Sequence, residues 1–293
     1  MRILHLDSGS QMRGGQWQVL RLIEGPQAAG AESTLLARER GPLLAAARER
    51  GLRAEPLGWL RAAAMARKHD LVHAHDARSH TLGAIVGGAP LVVARRVAFA
   101  VGSPWKYGRA RHYVAVSEFV KSILISGGVP EDRISVVYDG VPALEREPGQ
   151  IVLAPAAGGD PQKGTHLASE AARLAGVDLK LSTDLEGDLR RGAIFVYLSH
   201  SEGLGSGALL AMSAGAAVIA SNVGGLREAI RHGEDGLLVE NDVQEIAAAL
   251  RGLRADPART RRLGEAARRT VRERFAVDRM VRRTMEVYRQ VLT

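Results

Sequence analysis

Short runs of β-branched and other apolar residues alternate with segments whose apolar positions recur at helical spacing through the first half of the chain. The short runs predict strands at residues 3–6, 33–37, 71–74, 91–94, 113–116 and 134–138. The helical spacing predicts helices at residues 16–29, 42–50, 79–86 and 118–126. Strands that alternate with helices in this way are typical of a parallel sheet covered by helices.

The alternation is interrupted at residues 139–149, where proline, glycine and charged residues cluster as they do in interdomain linkers. It resumes with predicted strands at 151–154, 179–182, 194–198, 218–220 and 237–239 and predicted helices at 165–175, 206–214, 226–231 and 243–255. We therefore expect an α/β protein with two Rossmann-like domains facing a central cleft.

The linker sets the expected domain boundaries. The N-terminal domain is expected at residues 1–147, the C-terminal domain at 148–274 and a terminal helix within 275–293. Two arginine-rich helical patterns, at 257–274 and 277–291, end the chain and carry apolar residues at helical spacing. We expect the last helix to cross back onto the N-terminal domain.

The composition predicts a soluble globular protein. Apolar residues make up 46% of the 293 positions, which is enough for one large core or two smaller ones. We expect no secretory signal, because residues 1–6 have the pattern of a strand. We also expect no membrane-spanning helix, because the sequence contains no run of about 18 apolar residues. The chain has no cysteine, which excludes disulfides and thiolate chemistry and favours the cytoplasm.

The net charge of +8 is unevenly distributed along the chain. Residues 1–149 carry 20 basic and 14 acidic side chains, residues 150–250 carry 7 and 13, and residues 251–293 carry 13 and 5. The basic segments suit an anionic substrate or surface, including the inner face of a membrane; the alternative is that they are the solvated faces of arginine-rich helices. Nucleic acid is not expected as a partner, because no nucleic-acid motif accompanies the basic residues.

A glycine-rich turn lies between two predicted strands of the second domain. It contains Glu202 and runs directly into the predicted helix at 206–214. Such a turn directs unpaired backbone N–H groups and the positive end of the helix dipole at one point, which suits a phosphate. Glu202 would then lie beside whatever the phosphate carries.

Histidine and acidic residues follow the predicted strand at 71–74. Ligands of open α/β sheets bind at the carboxyl ends of strands, so His75 and Asp76 are candidates for contact with a substrate. We expect His73 to point to the side opposite Asp76. No third metal ligand is close in sequence, and the chain contains no Asp-x-Asp pair, so no metal site is expected.

Several motifs, in order, resemble those of the family 4 glycosyltransferases, which have the two-domain GT-B fold. Each motif is weak alone, but their order and spacing over nearly the whole chain are specific. They are MRILHL at 1–6 followed by Gly14-Gly15, DLVHAH at 70–75, VAVSE at 114–118, ISVVYDGV at 134–141, Lys163-Gly164, the block at 201–215 and SNVGGLRE at 221–228.

The resemblance implies transfer of a sugar from a nucleotide diphosphate sugar, as co-substrate, with retention of configuration and without a metal or other cofactor. It implies that Glu202 contacts the donor sugar and that Lys163 neutralises the leaving diphosphate. The donor-binding residues it indicates are Gly14, Gly15, Lys163, Glu202, Gly203, Leu204, Gly205, Ser206 and Gly207. Arg95 and Arg96 stand where many members have a histidine. Their guanidinium groups could bind an anionic acceptor by bidentate hydrogen bonds; the alternative is that they are ordinary surface charges.

Three features depart from the family pattern. Leu210 occupies the position of the second of two acidic residues, which normally contacts the ribose; Glu228 is a weak substitute. Gly158 occupies the position of an arginine that normally shares the diphosphate with the lysine. A strand-helix unit usual in the second domain is missing or reduced to residues 184–191, so the nucleobase cannot be inferred.

Three hypotheses follow. The first is a cytoplasmic, retaining, metal-independent glycosyltransferase, with Glu202, Lys163 and His75 as catalytic residues and a glycan or lipid-linked acceptor, as in cell-envelope or lipopolysaccharide synthesis. The second is a non-catalytic member that binds nucleotide sugars or acts as a scaffold, favoured by Leu210 and Gly158. The third is a sugar-nucleotide 2-epimerase on the same fold, which would need further carboxylates at the cleft.

Overall fold

The computed structural model describes residues 1–25, 31–147, 149–156, 160 and 162–293. The chain divides into two compact units: the first comprises Met1–Gly140 with Val277–Thr293, and the second comprises Val141–Ala276. The division falls at Gly140 and Ala276, whereas the sequence placed boundaries at 147 and 274. The difference arises because Val141 pairs with Ala276 and its N–H donates to Phe275 O at 2.9 Å, which joins both ends of the second unit.

The first unit is built on a seven-stranded parallel sheet in the order β3-β2-β1-β4-β5-β6-β7. Its strands are β1 (Arg2–Asp7), β2 (Glu32–Ala37), β3 (Ala54–Pro56), β4 (Leu71–Ala74), β5 (Leu91–Arg95), β6 (His112–Ala115) and β7 (Ile134–Val136). The central strand, β4, pairs with β1 and places His73 opposite His5. Parallel pairing places the carboxyl ends of these strands at one edge of the sheet.

Helices cover the sheet of the first unit. They are α1 (Gly14–Glu24), α2 (Pro42–Glu49), α3 (Trp59–Ala66), α4 (Ala77–Val86), α5 (Pro104–Gly108), α6 (Glu118–Ser126) and, from the end of the chain, α13 (Val277–Leu292), with a 3-10 turn at Glu131–Arg133. In α13, Met280, Met285 and Tyr288 pack in one cluster with Ile3 and Leu71 of the sheet. The terminal helix thus completes the core of the first unit.

The second unit is built on a five-stranded parallel sheet in the order β12-β11-β10-β8-β9. Its strands are β8 (Ile151–Pro155), β9 (Leu179–Ser182), β10 (Gly192–Tyr197), β11 (Ala217–Ser221) and β12 (Leu237–Val239). Its helices are α7 (Thr165–Ala175), α8 (Leu185–Leu189), α9 (Ser206–Ser213), α10 (Leu226–Ala229), α11 (Val243–Ala255) and α12 (Pro257–Arg274). Apolar residues of α7 and α11 share one core cluster with β8, β10 and β11.

The two parallel α/β units confirm the expected fold class. Several bounds differ from expectation. The first helix begins at Gly14, so Gly14 and Gly15 form its first turn and do not precede it; its predicted end at 26–29 lies outside the described residues. The short elements β3, α3 and α5 were not predicted, and α8 is the five-residue remnant expected within 184–191. No helix among the described residues has the length and apolar character that crossing a membrane requires.

Candidate functional site

The segment before α7 is held against the end of β10 by backbone pairing. Lys163 forms an isolated antiparallel bridge with Ser199. Gly164 N–H donates to Leu198 O and His200 N–H donates to Gln162 O, both at 3.0 Å. This pairing fixes the main chain of Lys163 directly beside the loop that carries Glu202.

Lys163, Glu202 and Tyr197 form a compact polar cluster. Lys163 Nζ lies 2.6 Å from Glu202 Oε2 and 3.5 Å from the hydroxyl of Tyr197. The Tyr197 hydroxyl donates to the same Glu202 oxygen at 2.9 Å. The sequence brought Lys163 and Glu202 forward as separate candidates, and the structure places them in one ion pair.

Tyr197 was missed by the sequence reasoning, because an apolar run ending in an aromatic residue has the pattern of an ordinary core strand. Its side chain is buried at the carboxyl end of β10. Burial raises the pKa of Tyr197 well above its usual value of 10.0, and the negative charge of Glu202 and their hydrogen bond raise it further. The hydroxyl therefore remains a proton donor at any physiological pH.

The glycine-rich turn passes over the ring of Tyr197. Gly205 has a φ of +96°, in the left-handed region that favours glycine, and is the N-terminal cap residue of α9 without a side-chain cap. A Cβ on Gly207 would lie 2.9 Å from Cε2 of Tyr197. The two glycines thus allow the backbone to run close to the ring and turn directly into α9.

Hydrogen bonds join the ends of the three strands beside this turn. Ser199 N–H donates to Ser221 Oγ at 2.9 Å, and Ser221 Oγ donates to Asn241 Oδ1 at 2.6 Å. Asn241 Nδ2 donates back to Ser199 O at 3.0 Å. The loops that follow β10, β11 and β12 are therefore fixed relative to one another, and Gly225 N–H further donates to Glu202 O at 3.0 Å.

The departures from the family pattern fall at different places. Leu210 is buried within α9 and offers no side-chain hydrogen bond where a ribose-binding carboxylate was expected. Glu228 lies half-buried in the first turn of α10. Gly158, which stands in place of an expected arginine, lies outside the described residues.

In the first unit, Asp76 has a structural task. It caps α4 by accepting from the N–H groups of Arg78 and Ser79, and it also accepts from N–H and Oγ of Ser8. Burial opposes its ionisation, but the hydrogen bonds from Ser79 and Ser8 outweigh that cost and lower the pKa of Asp76. His75 makes none of these contacts, so the structure separates two residues that the sequence grouped.

His75 belongs instead to a buried cluster with His5 and His73. His5 Nδ1 and His75 Nε2 share a hydrogen bond of 3.0 Å, and the rings of His73 and His75 are 4.1 Å apart. Burial lowers the pKa of His5 to about 3 and holds the pKa values of His73 and His75 well below 6.5. His5 was missed because it comes from the neighbouring strand β1, 70 residues away.

One nitrogen from each of the three histidines lies within 4.8 Å of the others, a spacing at which imidazoles could turn toward one ion. Neutral imidazoles are metal ligands, but an ion would have to displace the His5–His75 hydrogen bond. The positive charge of Arg96 also lowers the pKa of His73 and His75, and it disfavours a cation at the same place. The cluster therefore has the character of a buried hydrogen-bonded network.

Arg95 and Arg96 have different surroundings. Arg96 Nε donates to Asp139 Oδ1 at 3.2 Å, and its Cδ would lie 3.9 Å from a Cβ on Gly15. The side chain of Arg95 is buried, donates to the carbonyl oxygen of Phe99 and lies over the ring of Tyr107. Only Arg96 is brought beside the start of α1.

Asp7, at the carboxyl end of β1, was also missed by the sequence reasoning. It accepts from Gly9 N–H at 2.8 Å and from Gln16 Nε2 at 3.1 and 3.2 Å, which ties the loop after β1 to the first turn of α1. Burial raises the pKa of Asp7 to about 6, with a further contribution from the charge of Asp76. A carboxylate at the carboxyl end of β1 was the available signal, because ligands of open α/β sheets bind at the carboxyl ends of strands.

Two family models match the chain: one described as glycosyl transferases group 1 over residues 120–256, and one described as glycosyltransferase family 4 over residues 12–143. An α-maltose-1-phosphate synthase of Mycolicibacterium smegmatis is 34% identical over 157 residues, which cover 48% of this chain and 41% of that protein. A D-inositol 3-phosphate glycosyltransferase of Thermomonospora curvata is 40% identical over 100 residues, covering 34% of this chain and 23% of that protein. The chain spans about half or less of the length of the curated relatives it matches.

Among solved structures, HepE of Anabaena in complex with UDP-glucose is similar over 99% of this chain and 100% of that chain, with a TM-score of 0.86 and 18% identity. At that identity the likeness establishes the fold, which is GT-B. The class is thus a GT-B protein in which Glu202, in the loop before α9, forms an ion pair with Lys163. The two family models together match residues 12–256, and with the GT-B fold they support the resemblance to the family 4 glycosyltransferases.

Proposed function

We propose that this protein is a retaining, metal-independent glycosyltransferase that moves a sugar from a nucleoside diphosphate sugar to an acceptor hydroxyl. The observation that carries the proposal is the ion pair between Lys163 and Glu202. Glu202 lies in the loop that leads into α9, whose N-terminus has no side-chain cap. A lysine, a carboxylate and a helix N-terminus together suit a ligand that joins a diphosphate to a polyol. The UDP-glucose bound by HepE belongs to that class of ligand.

On the donor side, Lys163 neutralises the charge that develops on the leaving diphosphate, and the backbone amides of residues 203–207 contribute with the dipole of α9. Glu202 accepts hydrogen bonds from the hydroxyls of the sugar. Leu210 leaves the ribose without its usual carboxylate partner, so the affinity comes chiefly from the sugar and the diphosphate. His75 is buried and hydrogen bonded to His5, so its effect on the reaction would pass through the buried histidine network.

The chemical step needs no group beyond these residues and the two substrates. The bond between the anomeric carbon and the diphosphate oxygen breaks while the acceptor oxygen bonds to the same face of that carbon. The hydroxyl proton passes to an oxygen of the leaving phosphate. Protein cations and amides carry the leaving-group charge that a metal ion carries in other designs.

We assign the acceptor side to the first unit. Arg96, beside the first turn of α1, would receive an anionic acceptor group. The basic charge of residues 1–149 supports an anionic glycan or lipid-linked acceptor, such as a precursor of a cell-envelope glycan. The reaction then takes place on the cytoplasmic side of the membrane.

Peripheral contact with a membrane has its own support in the first unit. Trp59, Leu60, Phe99 and Trp105 are 50%, 80%, 63% and 50% exposed, respectively. Exposed aromatic and aliphatic side chains among basic residues favour the interface of an anionic bilayer. Cosedimentation with vesicles containing phosphatidylglycerol, compared with neutral vesicles, tests this part of the proposal.

A second function is a non-catalytic protein that binds nucleotide sugars, and buried Leu210 favours it. Titration calorimetry with UDP-, GDP- and ADP-glucose, combined with release of the nucleoside diphosphate over time, distinguishes the two. The proposed glycosyltransferase should release UDP, GDP or ADP, at least slowly, by transferring the sugar to water. With an acceptor, a retaining enzyme should convert an α-linked donor into an α-linked product. Activity should survive EDTA. Binding without release or transfer would favour the scaffold.

A further inference from the structure

Tyr197 is fixed at the carboxyl end of β10 by the turn that passes over it. A Cβ on Gly205 would lie 3.5 Å from Cε1 of Tyr197, and a Cβ on Gly207 would lie 2.9 Å from its Cε2. The ring also stacks on Phe195, with centroids 5.9 Å apart. A buried ring held from two sides gives its hydroxyl a defined position.

The hydroxyl of Tyr197 and the ammonium of Lys163 bind one oxygen of Glu202. Both donors reach Oε2, at 2.9 and 2.6 Å. Within the described part of the chain, no hydrogen bond is made to Oε1 of Glu202. The arrangement holds the carboxylate through one oxygen and leaves the other for a ligand.

The two donors differ in mobility. Lys163 is on a flexible side chain that is 30% exposed, whereas Tyr197 is buried and rigid. Under the proposed function, Lys163 must bind the diphosphate of the donor, and the ion pair with Glu202 must then loosen. A carboxylate that lost a 2.6 Å ion pair with no other donor would be free to rotate away from the sugar.

We propose that Tyr197 is a positioning residue: its hydroxyl keeps Glu202 directed at the donor sugar when Lys163 exchanges Glu202 for the donor diphosphate. The inference rests on the proposed function. Because burial keeps the Tyr197 hydroxyl protonated, this hydrogen bond persists over the whole working pH range. The ring and the hydroxyl have separable roles, since the ring supports the glycine turn and the hydroxyl holds the carboxylate.

Two variants separate these roles. Tyr197→Phe retains the ring and removes only the hydroxyl, whereas Tyr197→Leu removes both. With the nucleoside diphosphate glucose that the wild type turns over fastest among UDP-, GDP- and ADP-glucose, Tyr197→Phe should lower kcat/KM about tenfold or more, as expected for a lost hydrogen bond to a charged group. Its affinity for the matching nucleoside diphosphate should stay within about twofold. Tyr197→Leu should lower kcat/KM and should also weaken binding of the nucleoside diphosphate.

A double-mutant cycle on thermal unfolding tests the contact without any donor. Tyr197→Phe and Glu202→Ala should be non-additive, because each removes the same hydrogen bond. Additive effects, or a Tyr197→Phe enzyme whose kcat/KM is unchanged, would overturn the positioning role even in an active protein. Absence of turnover with all three donors, with the coupling intact, would instead refute the proposed function and with it the role assigned to the contact.

Discussion

The hydroxyl oxygen of Tyr288 lies 2.6 Å from Nδ1 of His73, although 215 residues separate them in the chain. The two rings meet edge to face, with centroids 5.5 Å apart. This hydrogen bond connects α13 to β4, and through β4 to the buried histidines. The last helix is thus bound to the first unit by a polar contact as well as by its apolar face.

Replacing Tyr288 with phenylalanine should destabilise the protein. The variant Tyr288→Phe keeps the packing but leaves Nδ1 of His73 buried without its partner, which costs about 1–3 kcal/mol of unfolding free energy. Chemical denaturation followed by circular dichroism measures it. Tyr107→Phe is a matched control, because no hydrogen bond is made by the Tyr107 hydroxyl among the described residues. Equal losses in both variants would contradict the assigned contact.

Asp7 should make stability depend on pH in an identifiable way. Its folded-state pKa of about 6 exceeds the usual 3.8, so its protonated form is favoured by folding. The associated stability is present below pH 3.8 and is lost as pH rises through about 6. By linkage, the loss amounts to about 3 kcal/mol.

The variant Asp7→Asn removes this titration. Its unfolding free energy is subtracted from that of the wild type at each pH from about 4 to 7.5. The subtraction isolates the contribution of Asp7 from that of the buried histidines, whose lowered pKa values make stability rise with pH. The difference should fall as pH rises. A difference independent of pH would show that Asp7 titrates normally.

Gly205 should be sensitive to a single methyl group. In Gly205→Ala the added Cβ meets Cδ2 of Leu226 at 2.6 Å, and its φ of +96° is costly for alanine. We expect a loss of about 1–3 kcal/mol in unfolding free energy and weaker donor binding. Gly176→Ala is the control: Gly176 has a φ of +66° with nothing within 4 Å of an added Cβ, so its variant should lose stability only. Donor binding reduced equally in both would contradict the local role.

The larger elements could be predicted from sequence because their signals are local. The bounds of α7, α11 and α12 agree with the predicted 165–175, 243–255 and 257–274. Apolar spacing defines all three helices, and Gly, Asp or Pro residues flank both ends of α7 and α11 and the start of α12. The short elements carried too few periods to show a pattern. The three-residue β3 and the alanine-rich α3 are examples.

The candidate site was predictable only in part, for a related reason. Motif order identified Lys163 and Glu202, but not that they form one ion pair, because their contact spans 39 residues. Tyr197 lies only five residues before Glu202, but an aromatic residue in an apolar strand has the pattern of a core residue. His5 contacts His75, which is 70 residues away, and such a contact leaves no local signal. The capping role of Asp76 did have a local sequence signal, since aspartate before a helix is a favoured N-terminal cap.

In the proposed reaction, Lys163 stabilises the leaving diphosphate of a nucleotide sugar. The most direct measurement is the rate of nucleoside diphosphate release from UDP-, GDP- and ADP-glucose by wild type, Lys163→Ala and Lys180→Ala. Lys180 is a matched control, because it forms a comparable ion pair with Asp188 at 2.5 Å within the same unit. We predict that Lys163→Ala lowers kcat about 100-fold or more while Lys180→Ala retains the wild-type rate. Unchanged turnover in Lys163→Ala would show that Lys163 does not stabilise the leaving diphosphate.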